Sequence, residues 1–266
     1  MIDLHAHILP GLDDGAENLD ESLDMCRAAV RDGVTTIVAT PHTGNGNYDS
    51  SRDRILAAVS ELTDHLRSRG IELTILPGAD VYVHEQLDVL ITNREAMTIN
   101  DNMRYVMVEF PKRVIPPNYR GWLFRLALAG FTPILTHPER NPAIHDKTDI
   151  VREWIERGGL VQLTAMSLTG AFGQETRKCS EELLKYNLVH VIASDAHSAL
   201  RRPPVLSKAL EYAASLLGPD YARKLVEDYP SAIITGKTFN IPEPVRKKKN
   251  FFLRFLNRDQ CSLTSS

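Results

Sequence analysis

Histidine and aspartate residues cluster in the first strand-like segment of the chain, IDLHAHILPGLDDG. His5 and His7 are two residues apart, so on an extended strand their imidazoles project from the same face. Two neutral imidazoles on a buried face each have a donor and an acceptor to satisfy, and a shared metal ion meets that need. Taken alone, the pair is equally compatible with two surface histidines on an edge strand.

Further imidazoles and carboxylates follow the other predicted strands, and only the strand that ends near Thr164 lacks one. These side chains are His42, Asp80, Glu109, His137, Asp195 and His197, and Asp13 and Asp14 follow close behind the first strand. The carboxyl ends of parallel strands meet at one face, where barrel enzymes hold their active sites. Imidazole and carboxylate together suit Mn, Fe or Zn, and one ion takes only about four to six ligands. The pattern therefore predicts a site for two or three divalent ions.

The elements that position these residues alternate regularly along the chain. Short β-branched runs are separated by amphipathic helical segments, and the predicted strands are IDLHA, VTTIVATPH, IELTILPGAD, RYVMVEF, FTPILTHPER, GLVQLTAMS and LVHVIASDAH. The predicted helices lie near residues 18–33, 51–69, 119–129, 148–157, 175–186, 204–217 and 219–228. Strands joined by single helices form parallel sheets, and seven in a row favour closure into a single-domain barrel.

Composition restricts the class of protein and its partners. The 266 residues carry a net charge of −3, which divides into +4 from residue 240 onward and −7 before it. An acidic body suits a carboxylate metal site and disfavours a nucleic-acid partner. Cys26, Cys179 and Cys261 show no CxxC spacing, which is typical of a reducing compartment. With no apolar run of about 20 residues and no room for a signal peptide, the sequence predicts a cytoplasmic protein.

Several separated motifs agree with one known family. IDLHAHILPGLDDGA, ATPH, THPER and VIASDAHS followed by RRPP resemble the bacterial tyrosine-protein phosphatases of the polymerase and histidinol phosphatase (PHP) superfamily, in its capsule and exopolysaccharide regulator group. The resemblance covers about residues 1–236. It implies a distorted (β/α)7 barrel over residues 1–239 that holds two or three divalent ions, usually Mn. It also implies hydrolysis of phosphotyrosine on a membrane-associated tyrosine kinase that controls polysaccharide export.

The resemblance further implies roles for individual positions. The ligand sets are His5, His7, Asp80 and Asp195 for one ion, Asp14, His42 and His197 for a second, and Glu109 and His137, sharing Asp80, for a third. Arg140 and Arg202 match positions that grip the substrate phosphate, although two surface arginines beside prolines are the plainer interpretation. This chain has Asp80 where the family usually has Glu, a side chain longer by one methylene.

Two alternatives to a tyrosine phosphatase remain open. A small phosphomonoester such as histidinol phosphate would use the same metals and differ only in the rim loops, residues 43–50 and 112–117. A metal-binding adaptor without catalysis would also keep the ligands. A cysteine-based phosphatase is excluded, because Asp32 and Lys185 stand where Cys26 and Cys179 would need an arginine six positions later.

The last segment, residues 240–266, lies beyond the resemblance. Four successive basic residues, Arg246 to Lys249, lead into an aromatic stretch that begins at Phe251. One interpretation is a frayed tail, or a tail that packs its phenylalanines on the exterior of the barrel. The other is a short interfacial anchor, which combines attraction to anionic lipid with shallow burial of the rings.

Overall fold

The computed structural model describes residues 1–246, so most of the basic aromatic tail lies outside the described residues. The described part contains nine strands: β1 Ile2–Ala6, β2 Thr36–Ala39, β3 His42–Thr43, β4 Thr74–Pro77, β5 Asp80–Tyr82, β6 Tyr105–Glu109, β7 Thr132–Thr136, β8 Leu160–Thr164 and β9 Val191–Ala193. Within residues 1–246, no helix has both the length and the apolar character that crossing a bilayer requires.

Helices connect these strands at nearly all of the predicted places. They are α1 Leu19–Arg31, α2 Arg52–Ser68, α3 Leu87–Thr92, α4 Tyr119–Leu128, α5 Pro142–His145, α6 Asp149–Glu156, α7 Ala165–Leu168, α8 Gln174–Lys185, α9 Ser207–Leu217, α10 Pro219–Lys224 and α11 Asp228–Ile234. The predicted helix over residues 219–228 was wrong at its end, because α10 stops at Lys224 and a separate helix, α11, follows. The short helices α3, α5 and α7 were not predicted, since four to six residues carry no helical period.

The strands form two parallel sheets. One has the order β1-β2-β4 and the other the order β3-β5-β6-β7-β8-β9. Strands β6 and β8 are buried at every residue, as expected for parallel strands that are covered on both faces. The prediction of an α/β protein with parallel sheets is therefore confirmed.

Two of the predicted strands are each divided into two. The segment VTTIVATPH contains β2 and ends on the first residue of β3, and IELTILPGAD contains β4 and ends on the first residue of β5. The two strands of each pair belong to different sheets. Pro41 separates the first pair and has no N–H for a sheet ladder. Gly78 separates the second pair, and a Cβ there would lie 2.7 Å from Val38 Cγ1. The prediction of continuous strands was wrong here, because both segments bend where they change sheets.

The first and the last strand lie side by side. The amide of Asp195 donates to the carbonyl of His5 at 2.8 Å, and the amide of His7 donates to the carbonyl of Ala196 at 2.8 Å. The buried carboxylate of Asp3 accepts hydrogen bonds from the amide and the hydroxyl of Ser194. These contacts join the first strand to the last strand and to the turn that follows it.

A compact apolar cluster lies among the strands, separate from the larger core between strands and helices. Its members come from strands of both sheets, among them Leu4, Val38, Met107, Ile134, Leu160 and Val191. Leu76 of β4 packs against it from the side. Side chains of β1, β2, β6, β7, β8 and β9, together with Leu76 of β4, thus pack in one apolar cluster.

Candidate metal centre

The candidate ligands lie where strands end or restart, at one end of the fold. His5 is on β1, and His7 follows it directly. His42 and Asp80 are neighbours in register at the starts of β3 and β5, and Glu109 ends β6. Of the remaining four candidates, Asp14 lies in the loop after β1, and His137, Asp195 and His197 lie in the turns after β7 and β9.

Two of these ligands have an unusual backbone. His137 has a φ of 33° and Asp195 a φ of 51°, which is the left-handed region that side chains other than glycine rarely occupy. Such strain is held in place by the surrounding structure, and it is concentrated at functional sites. The conformation turns both side chains toward the other ligands.

Asp80 lies at the centre of the cluster. Its Oδ2 atom is 3.7 Å from His5 Nε2, 3.4 Å from His42 Nδ1 and 3.9 Å from His137 Nε2. Within the described residues, neither carboxylate oxygen of this fully buried side chain has a hydrogen-bond partner, and neither does His42 Nδ1. A buried carboxylate without a partner is costly unless a cation neutralises it.

These residues fit a divalent ion. Ligand atoms that share one tetrahedral ion at about 2.1 Å lie about 3.4 Å apart, close to the spacing around Asp80 Oδ2. A second grouping surrounds Asp14, whose Oδ1 atom is 3.6 Å from both His42 Nε2 and His197 Nε2. Half of the Asp14 side chain is exposed, so this grouping opens to solvent.

All nine candidate ligands are brought together. Within the described residues, four overlapping groups have ligand atoms within 4.8 Å of one another: His7, Asp14, His42 and His197; His5, His7 and Asp80; His5, His137 and Asp195; and His42, Asp80 and Glu109. His7, His5, His42 and Asp80 each belong to two groups. Shared ligands of this kind are what a centre of several ions requires.

The pKa shifts of the clustered side chains show that their carboxylates need compensating positive charge. Burial and the nearby Asp80 raise the pKa of Glu109 to about 7. Burial works to lower the pKa of His7, but the carboxylates of Asp13 and Asp195 outweigh it and raise that pKa to about 10. Burial and the neighbouring His7 lower the pKa of His197 to about 2. A proton on His7 therefore supplies charge that metal ions would supply, and metal and proton compete for this site.

Two arginines border the cluster on the side of Asp195. Arg140 Nη1 and Arg202 Nη2 both donate to Asp195 Oδ2, the latter at 2.8 Å. Arg202 Nη2 also donates to the Asp195 carbonyl at 2.8 Å. Both guanidinium groups lie over the ring of Phe172, with Cζ 4.7 Å and 5.7 Å from its centroid.

Sequence reasoning missed residues that orient the ligands. The carboxylate of Asp13 contacts His7 Nδ1 at 2.5 Å and accepts from the His42 amide at 2.9 Å. Gln162 Oε1 contacts His5 Nδ1 at 3.1 Å and accepts from the His137 amide at 3.2 Å. Fixing one ring nitrogen leaves the other free for an ion. A glutamine inside the apolar strand GLVQLT was the available signal.

Other histidine and cysteine side chains lie outside these groups. His190 is buried and accepts from the Val161 amide at 3.1 Å, and burial lowers its pKa to about 3. Burial also raises the pKa of the Cys26 thiol to about 12, so this thiol is protonated and unreactive at neutral pH.

Fold and site together define a parallel α/β protein whose strand ends carry a candidate centre for several metal ions. Residues 1–235 match the family model described as capsular polysaccharide synthesis, CpsB/CapC. The chain belongs to the CpsB/CapC family, and the prediction made from its motifs is confirmed.

Relatives with known names cover nearly the whole chain. Tyrosine-protein phosphatase YwqE of Bacillus subtilis is 34% identical over 252 residues, which are 94% of this chain and 99% of YwqE. Tyrosine-protein phosphatase CpsB of Streptococcus pneumoniae is 32% identical over 241 residues, which are 88% and 98% of the two chains. A crystal structure from a study of YwqE and CpsB as unique metal-dependent tyrosine phosphatases has a TM-score of 0.89 and 33% identity. It covers 94% of this chain and 100% of that one.

Proposed function

We propose that this protein is a metal-dependent tyrosine-protein phosphatase of capsular or exopolysaccharide synthesis. The observation that carries the proposal is the convergence of nine imidazole and carboxylate ligands, among them the buried carboxylate of Asp80, which has no hydrogen-bond partner within the described residues. The relatives named tyrosine-protein phosphatases match along nearly the full chain, which supports the same reaction here. The substrate in this proposal is a phosphotyrosine protein, namely a membrane-associated bacterial tyrosine kinase, and the enzyme acts in the cytoplasm.

The proposed cofactors are two or three divalent ions, with Mn first and Fe or Zn as alternatives. Five imidazoles and four carboxylates form the donor set, a mixture that suits these metals. His5, His7, Asp80 and Asp195 are proposed for one ion, Asp14, His42 and His197 for a second, and Glu109 and His137 with Asp80 for a third. The overlap of the groups supports such sharing, and Asp80 lies within 3.9 Å of three imidazoles.

The proposed architecture is a distorted (β/α)7 barrel over residues 1–239. Counting β2 with β3 and β4 with β5 gives seven passes of the chain. The hydrogen bonds between β1 and the turn after β9 support closure, and so does the interior cluster shared by strands of both sheets. The acidic body of this domain supports the absence of a nucleic-acid partner.

The protein's own residues perform binding and orientation in the proposed mechanism. Bound divalent ions activate water at neutral pH and neutralise phosphate charge. Arg140 and Arg202 hold the phosphate oxygens through their planar N–H forks. Asp195 keeps both arginines at the edge of the ligand cluster, while Asp13 and Gln162 fix the rings of His7 and His5. The tyrosine leaves as a phenolate of pKa about 10, so no general acid is needed.

The test compares metals and substrates side by side. Protein stripped of metal is reloaded separately with Mn, Zn and Fe and assayed on a phosphotyrosine peptide, a phosphoserine peptide and histidinol phosphate. We expect turnover of the phosphotyrosine peptide that requires metal, disappears on chelation and survives alkylation of the cysteines. Preferential turnover of histidinol phosphate would instead favour the small-substrate alternative. Metal uptake without turnover of any substrate would indicate an adaptor.

We further propose that the basic aromatic tail adds a weak membrane contact that brings the enzyme to its kinase. Each Lys or Arg near an anionic surface contributes about 1 kcal/mol of attraction. Residues up to Arg246 are held by the body, since the Val245 amide donates to the Tyr186 carbonyl and Arg246 lies 3.8 Å from Glu156. A form that ends at Arg246 keeps these contacts and removes residues 247–266, which hold the rest of the basic run and the aromatic stretch.

Vesicle co-sedimentation tests this contact. Full-length protein should sediment with anionic vesicles and not with neutral vesicles, and the form that ends at Arg246 should stay in solution with both. Equal partitioning of the two forms would mean that the tail is not an anchor, while the proposed phosphatase activity would be unaffected.

A further inference from the structure

The strand end without a ligand is followed by a loop that contacts the site in another way. Residues 169–173 join α7 to α8, and Phe172 lies in this loop between Gly170 and Gly173, whose φ angles are +88° and +92°. The Ala171 amide donates to the Met166 carbonyl at 3.0 Å, and the Gly173 amide donates to the Gly170 carbonyl at 3.1 Å. The turn is tight and internally bonded, so the position of Phe172 is defined by its backbone.

The loop is also tied to the segment that carries Arg140. Glu139 is fully buried, and its Oε1 atom accepts from Ser167 Oγ at 2.7 Å and from the Thr164 amide at 3.0 Å. Ser167 belongs to α7, directly before the loop, and Glu139 precedes Arg140. These bonds fix the ring of Phe172 relative to the first arginine.

The aromatic ring of Phe172 contacts two guanidinium groups. The guanidinium carbons of Arg140 and Arg202 lie 4.7 Å and 5.7 Å from the centroid of the Phe172 ring. An aromatic face attracts cations, and a guanidinium lying over it keeps the N–H groups at its edge available. The ring therefore offsets the mutual repulsion of two like charges without using their hydrogen-bond donors.

We propose that Phe172 is a positioning residue, which holds Arg140 and Arg202 so that their N–H edges face one phosphate group. This inference rests on the proposed function, in which both arginines bind the substrate phosphate. The ligand that tests it is inorganic phosphate, since phosphate has no aromatic part that could stack on Phe172. The competing interpretation is that the Phe172 ring contacts the phenyl group of the substrate.

The test uses variants that separate the aromatic face from apolar bulk. Phe172→Leu keeps the bulk and removes the face, Phe172→Tyr keeps the face, and Phe172→Met is a second variant without the face. Phe124→Leu is the matched control, because Phe124 is 62% exposed on α4 and contributes nothing to the arginine pair. The measurements are calorimetric Kd for inorganic phosphate on metal-loaded protein, KM and kcat for an aryl phosphate, metal content and Tm.

We expect Phe172→Leu and Phe172→Met to raise the phosphate Kd and the aryl-phosphate KM by about tenfold, the scale of two cation–π contacts. Metal content and Tm should match the wild type, and Phe172→Tyr and Phe124→Leu should bind phosphate like the wild type. In an Arg202→Ala background the effect of Phe172→Leu should shrink, because one of the two cations is gone.

Three outcomes would overturn the inference. A raised KM with an unchanged phosphate Kd would mean that the ring contacts the substrate instead. An unchanged KM and an unchanged phosphate Kd would mean that Phe172 has no role. A lower Tm or a lower metal content in both Phe172→Leu and Phe172→Met would mean a structural role. Phosphate binding is measured without turnover, so a wild-type protein that binds phosphate but hydrolyses no aryl phosphate would refute the proposed function and still test Phe172.

Discussion

At the scale of single residues, the site depends on opposite charges that stabilise one another. Asp195 shows this best, since it contacts both arginines and also lies 3.6 Å from His5 Nε2 and 3.5 Å from His7 Nε2. Burial works to raise the pKa of Asp195, but His5, His7 and the other nearby cations hold that pKa well below its usual range. One carboxylate thus joins the ligand cluster to the arginines.

Removal of the Arg202 side chain should weaken phosphate binding without emptying the metal centre. For Arg202→Ala we expect a KM for an aryl phosphate about 10- to 100-fold higher, because a hydrogen bond to a charged group is worth about 1.5–3 kcal/mol. Metal content, measured by atomic absorption, should be unchanged. The neighbouring Arg201 is exposed, and Arg201→Ala is the control that should behave like the wild type. A loss of metal in Arg202→Ala would make this arginine structural.

Asp80 provides a test of the proposed sharing of ions. We expect Asp80→Glu, which keeps the charge and lengthens the side chain by one methylene, to keep or increase the number of metal ions per chain. Asp80→Asn keeps the shape but removes the charge that three imidazoles surround, so its metal content should fall. If the metal content of Asp80→Glu falls to that of Asp80→Asn, the site has adjusted to the shorter ligand.

At the scale of elements, turns after strands place the ligands, and glycine permits the tightest of these turns. A Cβ atom on Gly15 would lie 2.1 Å from the His7 carbonyl oxygen and 2.5 Å from His7 Cβ. The Gly15 amide also donates to Asp13 Oδ1 at 3.0 Å. The loop that carries Asp13 and Asp14 therefore cannot accept a side chain at this position without moving.

Alanine at two glycines should have opposite effects. Gly15→Ala should lower the free energy of unfolding by about 1–3 kcal/mol, as overpacking does, and should reduce metal content. Gly121→Ala in α4 should raise the free energy of unfolding by about 0.5–1 kcal/mol. No atom lies within 4 Å of the position of the added Cβ, and alanine favours a helix. Urea titrations of both variants check this. Equal effects of the two substitutions would contradict the steric argument at Gly15.

The sequence predicted the elements better than the contacts between them. Hydrophobic period located most of the strands, and the residue types at their ends indicated eight of the nine candidate ligands. The ninth, Asp14, was assigned only through the family resemblance. The divisions at Pro41 and Gly78 were missed, since they depend on which sheet each half joins. Asp13, Gln162 and Phe172 were missed for a related reason. Their roles arise from partners distant in sequence, such as His5 and Gln162, which are 157 positions apart.

At the scale of the whole molecule, buried neutral groups determine stability in acid. The pKa of His190 is about 3 in the folded protein, because burial lowers it from 6.5. Between these values the unfolded chain binds a proton that the folded chain does not, so stability falls as the pH decreases from 6.5. Above pH 6.5 the group is neutral in both states, so it no longer makes stability depend on pH.

His190→Gln should therefore reduce the sensitivity to acid. Glutamine stays neutral and can accept from the Val161 amide as His190 does. Between pH 7 and pH 5 the wild type should lose about 2 kcal/mol more of its unfolding free energy than the variant, from 1.36 kcal/mol per pH unit below 6.5. Urea titrations at both pH values provide the measurement. Protonation of the metal ligands affects the wild type and the variant equally, so its effect cancels in the comparison. Parallel losses in the two proteins would show that His190 does not limit acid stability.

The pairing of β1 with the turn after β9 has a consequence for biosynthesis. Asp3 and Ser194 are hydrogen-bonded although 191 positions separate them. At a translation rate of about 5–20 residues per second, the first strand waits roughly 10–40 s for this neighbour to be made. During that interval His5 and His7 lack Asp195, and an apolar strand edge stays open to chaperones or to other nascent chains. Capture of metal by the complete ligand set must therefore wait until His197 has been made and the turn after β9 has paired with β1.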